Sequence, residues 1–197
     1  MKNREQTEEK ILEAVGSIIE NQGFEKVGIN AIATEAGVSK MLIYRYFGGV
    51  EELIAQYLIQ KDYWANTDAA MINPEAVGDS IKSMFRRQVE QLRNDITLRR
   101  LYRWELFTDN QNIRQLRNRR EENGCRLIKM VSALTGCQDE QVAALASILS
   151  ASISYLALLE GQCQTYNGIC LQTDEGWNQL MQGVEMIIDL WIKHIRK

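Results

Sequence analysis

The chain has 197 residues, of which 45% are hydrophobic and 25% charged, and a net charge of −3; this is the composition of an ordinary globular protein with a substantial core. A single proline, Pro74, and the scarcity of β-branched runs exclude a sheet-based architecture and favour an almost entirely helical one. Four cysteines without CxxC spacing (Cys125, Cys137, Cys163, Cys170) and a lone histidine, His194, argue against a disulfide framework, a metal cluster or histidine-based catalysis.

The first helix is expected over Thr7–Asn21, where Ile11, Leu12, Val15, Ile18 and Ile19 recur at helical spacing. Gly23 is expected to end it in the αL conformation, and Phe24 re-enters the core. A short helix follows over Ile29–Ala36, then a turn at Gly37, then a second short helix over Lys40–Phe47 with Ser39 as its cap. Two brief helices joined by a glycine turn form the helix-turn-helix pattern. Gly48 and Gly49 break the chain before a long helix from Val50 towards Trp64, with Glu51 and Glu52 at its positive end. Residues 65–73 form the boundary to the rest of the chain. Asn73 and Pro74 open the next helix as N-cap and N1, and helices are expected over about Glu75–Arg93, Thr97–Thr108, Ile113–Leu134, Glu140–Cys163 and Asp174–His194. Residues 1–50 thus form a DNA-binding domain, the helix from 50 to about 65 a connector, and residues 66–197 a second helical domain.

Charge is strongly segregated. Residues 1–50 carry six basic and seven acidic side chains, residues 51–81 one and six, residues 82–129 thirteen and six, and residues 130–197 three and seven. The basic surplus lies mid-chain, outside the helix-turn-helix, so composition alone does not mark a nucleic-acid binder. The opening MKNREQTEEKILEA has no apolar signal-peptide core, and no stretch of about eighteen apolar residues is uninterrupted. A cytoplasmic location and no membrane partner are therefore expected. No nucleophile–base pair, phosphate loop or metal cluster appears, so neither enzymatic activity nor a cofactor is expected.

The stretch GINAIATEAGVSKMLIYRYFGGVEEL, residues 28–53, resembles the DNA-binding signature of the TetR/AcrR family of transcriptional regulators. The resemblance rests on Ile32-Ala33, Ala36-Gly37-Val38-Ser39-Lys40, Ile43-Tyr44, Tyr46-Phe47 and Glu51-Glu52-Leu53. It implies an all-α protein: an N-terminal three-helix helix-turn-helix domain, then a helical ligand-binding and dimerisation domain. Ile32, Ala33, Ala36, Val38, Ile43 and Phe47 fall on inward faces. The resemblance places DNA contacts at Asn30, Ser39, Lys40, Met41, Leu42, Tyr44, Arg45 and Tyr46. Lys40 and Arg45 suit guanine edges or phosphates, Asn30 suits adenine, and the tyrosine hydroxyls suit phosphate, although both rings could simply pack. Gly28, Asn30 and Val50 stand where the family often carries a donor or a cation, which predicts modest affinity and a shallow salt dependence.

The family's second domain varies too widely for motifs, so pattern takes over. A mixed set of aromatic and polar residues, Phe85, Tyr102, Arg103, Trp104, Phe107, Cys125, Met130 and Tyr155, is the expected effector pocket. Arg99, Arg100, Arg103, Arg114, Arg117, Arg119, Arg120 and Arg126 either favour an anionic ligand or pair with nearby acids. Trp177, Met181, Val184, Ile188 and Trp191, with Ile148 and Ser152 on the preceding helix, are the expected homodimer interface. The same stripe would serve equally for packing inside one chain, and the resemblance decides for the dimer. The expected function is repression from a palindromic double-stranded DNA operator, relieved by a small-molecule effector. The alternative is a ligand-independent DNA-binding or adaptor protein whose second domain serves only assembly.

Overall fold

The computed structural model describes residues 2–195. The chain divides into two compact units, one of residues 1–66 with 96–120, the other of residues 67–95 with 121–197. The linear division expected from sequence differs: helices over 96–120 group with the N-terminal segment.

The first unit opens with α1 (Lys2–Gln22), longer at its start than the apolar spacing predicts. Its inner face carries Ile11, Val15, Ile18 and Ile19, all fully buried. Gly23 follows with φ 92° and ψ 167°, a positive-φ turn outside the expected αL region, and Phe24 turns inward within a short 3-10 segment. Next come α2 (Ile29–Ala36) and α3 (Lys40–Phe47), joined through Gly37 at φ 64° and ψ 34°. Only at Gly37 does this turn require αL backbone, and glycine supplies it without the Cβ clash that other residues meet. Ser17 donates a 2.6 Å hydrogen bond to Glu35, pinning α1 to α2.

The helix expected to run from Val50 to Trp64 breaks. Helix α4 spans Val50–Lys61, and α5 is a single turn, Tyr63–Asn66. Asp62 causes the break by accepting a hydrogen bond from the Ala65 amide at 2.8 Å, starting the next turn. Asn66 closes the break by donating to the Ile59 and Asp62 carbonyls at 2.6 and 2.7 Å. Helix α7 (Ile96–Phe107) packs against α1, with Arg100 donating to the Ile19 carbonyl at 2.7 Å and Trp104 stacked on Phe24 at 4.5 Å. Helix α8 (Gln111–Thr135) contributes Ile113 and Leu116 to this core.

In the second unit, Asn73 and Pro74 open a 3-10 turn (Pro74–Ala76), not the α-helix itself. The Asn73 side chain accepts from the Glu75 amide at 3.0 Å, and α6 (Val77–Asn94) begins three residues after Pro74. The C-terminal part of α8, α9 (Asp139–Leu159) and α10 (Asp174–Ile195) complete the helices. Helix α6 packs between α9 and α10, burying Met84, Phe85, Val89, Leu92, Leu149, Ile153, Trp177 and Met181. An antiparallel hairpin, β1 (Thr165–Tyr166) and β2 (Ile169–Cys170), follows α9, with Thr165 opposite Cys170. It ends α9 four residues before the expected Cys163. Asn167 and Gly168 turn it at φ 50° and 82°, the positive pair that a two-residue hairpin loop needs. The Asn-Gly dipeptide was the available signal for this element.

Helix α10 sits on the hairpin so closely that a Cβ on Gly176 would lie 1.8 Å from the Cys170 carbonyl oxygen. The Trp177 indole donates to the Leu171 carbonyl at 2.8 Å beside it. Arg93 ties α6 to both Glu160 (3.0 Å) and Asp174 (2.7 Å) and lies over the Trp177 ring.

Candidate nucleic-acid interface

Helix α3 is built to present one face outward. Ile43 and Phe47 anchor it, with Ile32 and Ala33 of α2 buried beneath; Ala36 and Val38, expected on the same inward face, are half-buried. The opposite face carries Lys40, Met41, Tyr44 and Arg45, all exposed, with Met41 at 78% and Tyr44 at 54%. Leu42 and Tyr46 are half-buried at its edges, and Ser39 and Asn30 are exposed near its start and on α2. The eight residues singled out from sequence therefore lie on α2, α3 and the turn between them. An exposed methionine and tyrosine flanked by two cations suit a groove floored by bases and walled by phosphates. Neither Lys40 nor Arg45 forms an ion pair among the described residues.

One expectation needs correction. Ser39 occupies the N-cap position of α3, but its side chain makes no capping hydrogen bond; its carbonyl accepts from the Leu42 amide at 3.0 Å. Gly28, at the N-cap of α2, can make no such bond either.

At the far end of α4 a charged cluster, unanticipated as a unit, holds the chain. Arg120 donates to Asp62 at 2.6 and 2.9 Å and to both oxygens of Glu105 at 2.7 and 2.8 Å, and it lies over the Tyr102 ring at 4.6 Å. The Asp62 side chain is completely buried. Burial opposes the charge of Arg120, but the field and hydrogen bonds of Asp62 outweigh it and raise the guanidinium above its ordinary range. Burial pushes the Tyr102 hydroxyl up as well, and the Asp62 charge adds to that. The signal was a single arginine among many; no spacing distinguishes Arg120 from Arg119.

The expected pocket residues fall into both units. Tyr102, Arg103, Trp104 and Phe107 belong to the first, where Tyr102 joins the Arg120 cluster and Trp104 stacks on Phe24. Phe107 is 91% exposed. Phe85, Cys125, Met130 and Tyr155 belong to the second, where Phe85 is core and the other three are exposed. A polar residue that sequence missed lies in the second unit: Gln88, fully buried, donates to Ser150 and Ser154 at 3.3 and 3.1 Å. Its carbonyl oxygen has no hydrogen-bond partner among the described residues.

The expected dimer stripe is also redistributed. Trp177, Met181, Val184 and Ile188 are buried inside their own chain and Trp191 is half-buried, so intrachain packing takes most of the stripe. What α10 exposes is a different set, Met186 (61%), Ile187 (45%) and Leu190 (61%), and α9 exposes Ile148 (67%) and Ser152. An open groove of about 330 Å³ lies along α10 between Gln182, Glu185, Met186, Asp189, Leu190 and Lys193. By length and composition alone α9 is long and apolar enough to cross a membrane, with a mean hydropathy of 2.0 over an eighteen-residue window, of which 22% is buried. Among the described residues no group of three or more His, Cys, Asp or Glu side chains could hold a metal ion.

Residues 11–57 match the family model described as "Bacterial regulatory proteins, tetR family". The chain carries the DNA-binding domain of the TetR family. The match begins at Ile11, the first fully buried residue of α1, and ends at Tyr57, whose hydroxyl lies against Gly16 of α1. Solved structures resemble the whole chain. The fatty acid degradation regulator FadR of Bacillus halodurans is 15% identical, with 92% of this chain and 94% of that one covered at a TM-score of 0.65. NalD of Pseudomonas aeruginosa, the secondary repressor of the MexAB-OprM multidrug efflux pump, is 16% identical, with 95% and 96% covered at 0.65. The TetR-family repressor AlkX of a Dietzia species, implicated in biodegradation of n-alkanes, is 17% identical, with 95% and 97% covered at 0.57. At these identities the likeness is one of fold. No curated protein sequence matches the chain. The TetR-family fold and its helix-turn-helix make this chain a DNA-binding regulator in architecture.

Proposed function

We propose that the chain is a cytoplasmic transcriptional repressor that binds a palindromic double-stranded DNA operator as a homodimer and is released by a small-molecule effector. The observation that carries the DNA half is the outward face of α3, where two cations without ion-pair partners among the described residues flank an exposed methionine and tyrosine. Asn30, Ser39, Lys40, Met41, Leu42, Tyr44, Arg45 and Tyr46 are the proposed DNA contacts, with Lys40 and Arg45 reading bases or phosphates. Purified protein mixed with sheared genomic DNA at low and at physiological salt tests this. An enriched sequence with two inverted half-sites about one helical turn apart is expected. Recovery of no enriched sequence at either salt contradicts operator recognition.

The dimer half is supported by the apolar residues that α9 and α10 leave exposed, Ile148, Met186, Ile187 and Leu190. A second copy would cover them across a two-fold axis. The buried side of α9, with Leu149, Ile153 and Ala157 in the core, favours this over a membrane span. Sedimentation should show a dimer, with Met186→Glu and Leu190→Glu together giving a folded monomer.

The effector half is supported by Gln88, whose open acceptor among apolar neighbours could orient a ligand carrying a hydroxyl or amide donor. Long-chain alcohols and primary amides are the first probes, because they carry a donor on an apolar chain and similar structures are named for fatty acid degradation and n-alkane biodegradation. A ligand-dependent rise in melting temperature, lost in Gln88→Leu, is expected. The engagement of Trp104 with Phe24 and of Tyr102 with Arg120 favours a second reading, a ligand-independent DNA-binding or adaptor protein whose second domain serves only assembly, and melting curves unmoved by these probes would count for it.

A further inference from the structure

The start of α1 lies against α3. The guanidinium of Arg4 sits 5.3 Å from the centre of the Tyr46 ring. Its Nε donates to Glu8 at 2.7 Å, and the arginine side chain remains 63% exposed. Two contacts thus aim an open cation at the edge of the face that carries Tyr44 and Arg45. We propose that Arg4 is a DNA-phosphate contact, seated by Tyr46 and held in readiness by Glu8.

The chemistry of the exchange is simple. A carboxylate and a phosphate present similar paired oxygens to guanidinium, and arginine binds either in a forked geometry. The Arg4–Glu8 pair is exposed on a helix surface, where salt and water screen it, so it is easily given up. Duplex DNA offers one phosphate charge per about 1.7 Å of axis, a much denser anion than one glutamate. The domain also needs the contact. Gly28, Asn30 and Val50 leave Lys40 and Arg45 as the cations of the α2–α3 segment, and Arg4 adds a third from outside it. The arrangement makes Glu8 a competitor: it orients Arg4 in the free protein and opposes the phosphate when DNA arrives.

This inference rests on the DNA-binding reading, and the test separates the two. Fluorescence anisotropy of the full chain with a random-sequence duplex of about 30 base pairs, titrated across salt, gives affinity and salt slope. Arg4→Ala is expected to lower the slope by about one per protomer and to weaken binding about three- to tenfold at low salt. Arg4→Lys should keep the slope. Glu8→Gln should tighten binding, because it removes the competing charge while leaving an amide to support the helix. An unchanged slope in Arg4→Ala, with the unsubstituted protein binding normally, overturns the inference alone. So does a Glu8→Gln loss as large as that of Arg4→Ala, which would mean that the pair merely seats Tyr46. If the unsubstituted protein binds no duplex even at low salt, the DNA-binding reading falls and takes this inference with it.

Discussion

The segment with the large basic surplus and the segment with none use their cations in opposite ways. Between residues 82 and 129 positive charge is spent internally: Lys82 pairs with Asp189, Arg86 with Glu185, Arg93 with Glu160 and Asp174, Arg114 with Asp109, and Arg120 with Asp62 and Glu105. Across residues 1–50 acids outnumber bases, yet Lys40 and Arg45 stand on an outward helix face with no ion pair among the described residues. Net charge counts side chains, whereas binding depends on which of them remain available to a partner.

The comparison breaks hardest at Arg120. Replacing it with methionine strands the Asp62 carboxylate, whose side chain is fully buried, and should destabilise the fold by about 3–5 kcal/mol in denaturant titrations. Adding Asp62→Asn to that variant should restore part of the loss, since the stranded charge is then gone. Next in size is Arg45→Ala, expected to cost about 1–3 kcal/mol of operator binding if it reads a base. Its melting temperature should stay unchanged, because the residue is exposed and makes no ion pair among the described residues. Arg114→Ala is the matched control from the basic segment. Its partner Asp109 is exposed and the pair is screened, so DNA affinity should not move. A loss equal to that of Arg45→Ala would erase the distinction between the two regions.

A pH titration sharpens the same contrast. The folded state holds the Tyr102 hydroxyl above its ordinary range through burial and the nearby Asp62 charge. The neutral form is therefore favoured by folding, and its contribution is fully present below the ordinary tyrosine value near 10. Stability should fall as pH rises beyond it, and Tyr102→Phe should flatten that fall. An alkaline ultraviolet titration should find Tyr102 ionising well after the exposed tyrosines, with that late component missing in Tyr102→Phe.

Local grammar carried the DNA-binding half. Gly37 requires positive φ, and Ile43 and Phe47 alternate with Lys40, Tyr44 and Arg45 at helical spacing. Those constraints act within a few residues of each other, so they are visible in one dimension. The second domain lacked such grammar. Trp177, Met181, Val184 and Ile188 form an apolar stripe whether they meet their own chain or another, and only packing against α6 and the hairpin shows that they are inside. Asn167-Gly168 is the local signal for the hairpin, and strands of two residues each are too short to carry an alternation of their own.

By itself, then, the sequence determined the all-helical class, the helix-turn-helix and the outward face of α3, because each depends on spacing and backbone preference along one stretch. The tertiary structure alone decided that residues 96–120 join the N-terminal unit and that arginines such as Arg86, Arg93 and Arg120 are committed to distant acids. These depend on which residues meet across 40 to 100 positions of chain, as Arg120 meets Asp62 58 residues away and Arg86 meets Glu185 99 residues away. Pairings at that separation are selected by the packing of whole helices, and no local pattern encodes them.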